Sequence, residues 1–220
     1  MQSASHAFAD GAFDFFDELS ETLLGWVVPG GPRANDVLRH AGIAAHSRVL
    51  DVGCGTGRLL AQAARREPSA FLVGIDTDRD SIEIARDRAR SAPAPIDLHL
   101  ASAERMPFAD AYFDVAAAVF VIGAMKPSIR GRVLAETRRV LKPSGRVLVV
   151  DWAREGCIAS RLASDLLEML PLPRALRPRN GGRTAAALVD AGLEDVEVLE
   201  EYLTAAGTVQ LVVGHKPAVV

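Results

Sequence analysis

The run Val49-Leu-Asp-Val-Gly-Cys-Gly-Thr-Gly57 constrains this chain more than any other stretch. Three glycines alternate with small residues after a hydrophobic strand and before a helix-like segment that starts at Arg58. Glycine permits positive φ and carries no Cβ to hold a ligand off the main chain. A strand that ends in such a loop offers backbone N–H groups at a helix start to a flat, polar cofactor. Asp51 precedes the glycines and is expected at the carboxyl end of the strand, facing the same crevice. The bland alternative is a glycine-rich turn that holds no ligand.

Spacing narrows the class of ligand. Gly53, Gly55 and Gly57 are one residue tighter than the Gly-x-Gly-x-x-Gly dinucleotide fingerprint. No Lys-Ser or Lys-Thr pair follows, which excludes a P-loop. An acid beside the loop repels a diphosphate and attracts an ammonium group. A cofactor with an amino-acid moiety is therefore favoured. The next apolar run, 71–75, ends in Asp76, where a second-strand acid can accept hydrogen bonds from ribose hydroxyls.

Five segments carry a family resemblance: Val49 to Gly57, Gly74-Ile-Asp76, Ala101 to Phe108, Tyr112-Phe-Asp114 and Arg139 to Asp151. In this order and spacing the chain resembles the class I S-adenosylmethionine-dependent methyltransferases. It is most similar to the group that includes the ubiquinone/menaquinone C-methyltransferases. The resemblance implies that Asp51, Gly53, Cys54, Gly55 and Gly57 hold the methionine part of S-adenosylmethionine, leaving S-adenosylhomocysteine as product. It further implies that Asp76 holds the ribose, that Thr77 belongs to the cofactor site, that Ser102, Ala103 and Glu104 border the adenine, and that Phe120 lies near the cofactor. Ser102 stands where relatives often have Asp or Asn, and Gly123 and Ala124 stand where many carry paired histidines.

Strand-like runs at 48–51, 71–76, 97–101, 115–122, 146–151, 196–202 and 208–215 alternate with helical segments at 57–66, 81–91, 128–141 and 184–191. Such alternation calls for an α/β fold, a parallel sheet covered on both faces. The last two strands are close enough to form a hairpin, so the final strand is expected to be antiparallel. The resemblance implies a Rossmann-like, seven-stranded, doubly wound sheet of order 3-2-1-4-5-7-6. Asp80 and Glu83 have capping-box spacing, and Gly192 is placed to end a helix.

One domain fits the length of 220 residues. It divides into an N-terminal helical segment (1–45), a cofactor-binding core (46–152), an insertion (153–183) and a final helix with hairpin (184–220). Within the first segment, apolar residues at 12, 15, 16, 19, 23 and 26 share one helical face, which suits either a packed helix or a lid. The insertion joins an apolar stretch to Arg174, Arg177, Arg179 and Arg183; these could clamp an anionic group or form a solvated loop.

A net charge of −3 gives no pull toward nucleic acid. Two distant cysteines, Cys54 and Cys157, make neither a disulfide framework nor a metal site. No apolar stretch is long enough to span a bilayer, and a cytoplasmic protein is expected. The partner is a small-molecule acceptor, and a homodimer is compatible with the sequence. Asp151, at the end of the fifth strand, is the one catalytic candidate, for orienting or deprotonating an acceptor. The expected function is methyl transfer to a small, apolar or aromatic acceptor by in-line displacement. Alternatives are a quinone or lipid-headgroup methyltransferase and a non-methylating S-adenosylmethionine-binding protein.

Overall fold

The computed structural model describes residues 31–153, 184–204 and 207–218. Helix α1 (Ala34–Ala41) leads into β1 (Arg48–Val52), α2 (Arg58–Arg66), β2 (Phe71–Asp76), α3 (Arg79–Arg90) and β3 (Ile96–Leu100). Then come β4 (Phe113–Val119), α4 (Pro127–Val140), β5 (Leu141–Trp152), α5 (Thr184–Asp190), β6 (Glu194–Thr204) and β7 (Gly207–His215). The seven strands form one sheet of order β3-β2-β1-β4-β5-β7-β6. β1 to β5 pair in parallel, while β7 runs antiparallel to both β5 and β6. This is the topology the resemblance implied.

Alternation along the buried strands sends successive side chains to opposite faces. Val49, Leu148, Val150 and Leu211 pack with Val37, Leu38, Leu60 and Ile82 from α1, α2 and α3. On the other face Leu50, Ala116, Val149 and Val212 pack with Val133, Leu134 and Leu188 from α4 and α5. With both faces covered, the central parallel strands β1, β2 and β4 are largely apolar, and Asp51 and Asp76 stand at the carboxyl ends of β1 and β2. The sheet reverses its order between β1 and β4, and that switch point opens a crevice at the strands' carboxyl ends.

Several boundaries differ from the sequence expectation. β4 ends at Val119 rather than 122, because Phe120 takes a left-handed conformation (φ 57°) and sends its amide to the Val150 carbonyl at 2.7 Å. β5 starts at Leu141 instead of 146, since helix α4 passes straight into the strand. There Lys216 Nζ reaches back to the carbonyls of Arg139 and Leu141, satisfying the end of α4. The cap of α3 is Asp78, not Asp80: its carboxylate accepts from the Ser81 amide at 3.2 Å and hydroxyl at 2.6 Å. Gly192 does end α5, at φ 78°. The helix expected within residues 7–28 and the insertion 154–183 lie outside the described residues.

Candidate functional site: a cofactor crevice at the switch point

The glycine loop is tied to the end of β2. The amides of Gly53 and Cys54 both donate to the Ile75 carbonyl, at 2.8 and 3.0 Å. The Gly55 amide donates to Asp76 Oδ2 at 2.9 Å, and the Asp78 amide to Asp76 Oδ1 at 2.9 Å. Gly53 (φ 71°) could not carry a side chain, because a Cβ there would lie 2.6 Å from Val121 Cγ2. Gly55 (φ 51°) is different: a Cβ would meet nothing within 4 Å. That glycine therefore keeps a cradle open rather than fitting against protein. Cys54 is buried beneath the loop, its thiol pushed up by burial and by Asp51 and Asp76. Gly57 is the residue before α2, and the Arg88 side chain holds the Thr56 carbonyl.

Asp51 sits at the carboxyl end of β1 and is only 3% exposed. Burial, and secondarily the neighbouring Asp76 charge, push its carboxyl up to about 7. Val37, Leu38, Val49 and Leu60 surround it on the side of α1 and α2. A buried carboxyl that meets no counter-charge among the described residues, beside an open cradle, fits the ammonium end of an amino-acid-bearing cofactor.

The residues expected at the ribose and adenine lie along the same edge. Asp76 ends β2, and Thr77 follows it on the surface. The Ala101 amide donates to the Asp76 carbonyl, which brings Ser102, Ala103 and Glu104 alongside. Ser102 is exposed, its hydroxyl accepting from the Glu104 amide at 3.2 Å. Ala103 packs against the core, and Glu104 is paired with Arg132 of α4.

An aromatic pair stands at the carboxyl ends of β4 and β5. Phe120 and Trp152 face each other with ring centroids 5.8 Å apart at 45°. Asp151, buried and raised by desolvation, accepts from the Gly123 amide through Oδ2 and from the Trp152 amide through Oδ1 at 2.9 Å. A Cβ on Gly123 would lie 2.4 Å from Asp151 Oδ1, so glycine at 123 and aspartate at 151 form one lock. Arg130 supports the same loop by donating to the Ile122 carbonyl at 3.1 Å and the Met125 carbonyl at 3.3 Å. This lock was not evident from sequence; Gly123 read only as a position lacking a histidine. Two of the four described histidines are engaged elsewhere: His40 pairs with Glu200 at 2.6 Å, and His99 with Asp97 at 2.9 Å. Among the described residues, no group of three or more His, Cys, Asp or Glu could hold a metal.

A family model described as a methyltransferase domain matches residues 49–145. The ubiquinone/menaquinone biosynthesis C-methyltransferase UbiE of Ralstonia nicotianae is 29% identical over 197 residues, 81% of this chain and 79% of the relative. The methyltransferase GfsG of Streptomyces halstedii is 31% identical over 175 residues, 69% of this chain and 61% of the relative. Among solved structures, the [4+2]-cyclase SpnF superposes with TM-score 0.67 at 22% identity, covering 84% of this chain and 80% of its own. The YcgJ protein of Bacillus subtilis superposes with TM-score 0.68 at 19% identity, covering 84% and 98%. These structural likenesses speak to fold alone. The methyltransferase-domain match and the sequence relatives, together with the shared fold, support a class I S-adenosylmethionine-dependent methyltransferase, a family that implies S-adenosylmethionine as cofactor.

Proposed function

We propose that this enzyme methylates a small apolar or aromatic acceptor held against Phe120 and Trp152 at the carboxyl ends of β4 and β5. The observation that carries the reading is that aromatic pair, 5.8 Å between centroids, beside the cofactor crevice. The cofactor supplies an electrophilic methyl group on a sulfonium. The protein's part is to hold two reactants in line, and positioning alone can supply a large share of the rate.

In this reading Asp51 takes the ammonium group, with Gly53, Cys54, Gly55 and Gly57 shaping the cradle around the methionine part. Asp76 and Thr77 take the ribose, while Ser102, Ala103 and Glu104 border the adenine. Phe120 stands between cofactor and acceptor. Asp151 acts as a positioning residue, because both of its oxygens accept main-chain amides that fix the loop after β4 and the end of β5. The described wall thus offers no free base, which suits an acceptor that arrives as a reactive phenolate, enolate or electron-rich ring carbon.

A quinone acceptor falls within this class, and the name of the Ralstonia nicotianae relative favours it. Residues 1–45 are proposed as a lid whose described part, α1, packs on the core, and 153–183 as the acceptor-side insertion. A cytoplasmic, homodimeric enzyme is compatible with this reading; no helix among the described residues is long and apolar enough to cross a membrane.

The test is turnover of methyl-labelled S-adenosylmethionine with a panel of phenols, quinols and phosphoethanolamine. Label transfer to phenols or quinols supports the reading. Transfer to phosphoethanolamine alone would replace it with a headgroup methyltransferase. Tight cofactor binding without turnover on any acceptor would favour the non-methylating alternative.

A further inference from the structure

The segment 101–112 joins β3 to β4 and has neither helix nor strand of its own. The two strands run parallel, so this connector must return from the carboxyl edge of the sheet to its amino edge, passing β2 and β1. Such a crossover is ordinarily made by a helix, which satisfies its own main-chain groups. Here side chains of α4 take that part. Met106 and Phe108 pack on the same face of the sheet as Val133 and Leu134, which brings the connector alongside α4.

Arg139 is the hub, and every N–H of its guanidinium is used. Nε and Nη2 donate to the two oxygens of Glu136, each at 2.8 Å. Nη2 also donates to the Met106 carbonyl at 3.1 Å, and Nη1 to the Phe108 carbonyl at 2.8 Å and Asp110 Oδ1 at 2.7 Å. Glu136 in turn accepts the Met106 amide at 2.9 Å. The Arg139 hydrogen bonds hold its carboxyl below the ordinary range, so the pair stays charged. Both main-chain polar groups of Met106 thus end on this one pair. Arg132, on the same face of α4, donates to Glu104 at 2.7 Å. An open hollow lined by Arg105, Met106, Pro107, Phe108, Glu136 and Arg139 lies between connector and helix. Polar links rather than close packing therefore set their separation there.

The same connector carries the turn 102–105, closed by the Arg105 amide on the Ser102 carbonyl at 3.2 Å. Its near end is fixed to β2 by the Ala101 amide on the Asp76 carbonyl at 2.9 Å. Its far end is Met106, held by Glu136 and Arg139. We propose that Arg139 and Glu136 are positioning residues for the cofactor, which through Met106 hold the turn 102–105 against the adenine. This rests on the adenine border proposed above and deepens it: recognition of the base depends on two α4 side chains that act through the main chain. Lysine at 139 cannot bond a carboxylate and two carbonyls in one plane, and glutamine at 136 loses the charge that strengthens these bonds.

The experiment titrates the full chain by calorimetry with S-adenosylhomocysteine and with S-ribosylhomocysteine, which keeps the amino-acid and ribose parts and lacks the base. The variants are Arg139→Lys and the isosteric Glu136→Gln, each titrated below its own melting temperature; if the first does not fold, the second carries the test. Wild type should prefer S-adenosylhomocysteine. In each variant the affinity for S-adenosylhomocysteine should fall about tenfold, while that for S-ribosylhomocysteine stays within about twofold. A purely structural role would weaken both ligands in parallel or neither. Either of those results overturns the positioning role and leaves the adenine border standing. Equal affinity of wild type for the two ligands overturns the adenine border and the proposal with it.

Discussion

The role proposed for Asp51 makes cofactor binding a proton-linked event. Its carboxyl stands at about 7 in the free protein, because burial and Asp76 oppose the charged form. The ammonium of a bound amino-acid moiety needs that charge, so binding must expel the proton. Between pH 7 and pH 5 the ionised fraction falls from about one-half to about one-hundredth, and apparent affinity for S-adenosylhomocysteine should fall about fifty-fold. Calorimetry at pH 6 in two buffers of different ionisation enthalpy should register release of about 0.9 proton per cofactor. Asp51→Asn should bind weakly and show neither effect.

The same carboxyl also bears on the stability of the free protein. A carboxyl raised on folding binds more protons in the native state than in the unfolded one. Stability is then lost as pH climbs from the ordinary value of 3.8 to about 7, and the full penalty stands above that. The span corresponds to a penalty on the order of 4 kcal/mol. Asp51→Asn should accordingly raise the melting temperature at pH 8 and leave it nearly unchanged at pH 4. Affinity that stays flat between pH 5 and 7 in the wild type, without proton release, would refute the reasoning.

Three substitutions test the rest of the crevice. Asp76→Ala removes the proposed ribose acceptor and frees the Gly55 amide, so calorimetry should show cofactor affinity lowered by about 1–3 kcal/mol. Gly55→Val places a side chain into space that no protein atom fills within 4 Å; circular dichroism should report a folded protein and titration no cofactor binding. Gly123→Ala drives a methyl into Asp151 Oδ1 in a buried lock, and denaturant unfolding should show about 1–3 kcal/mol of destabilisation.

What could be read from the chain differs by element. Strands β1 and β2 were legible because both are buried runs ended by an acid, and Gly53, Gly55 and Gly57 marked the turn to α2. The end of β4 was not. Phe120 to Ile122 reads as continued strand, yet Phe120 leaves the ladder in a left-handed conformation that only the Val150 carbonyl and the packing of Trp152 account for. The cap of α3 was misplaced by two residues, since Asp78 and Asp80 both suit the role and only the Ser81 contact decides. Asp151 was visible as an acid at a strand end. Its partnership with Gly123 was not, because that contact spans 28 residues and turns on the absence of a side chain. The indole N–H of Trp152, unpaired among the described residues, has no sequence signal at all.

The most direct test of the account is a calorimetric titration of the protein with S-adenosylmethionine, S-adenosylhomocysteine and NAD at pH 8. The account predicts saturable binding of both sulfur cofactors, lost in Gly55→Val, and no binding of NAD. Binding of NAD, or no binding of either sulfur cofactor by folded protein, would contradict it.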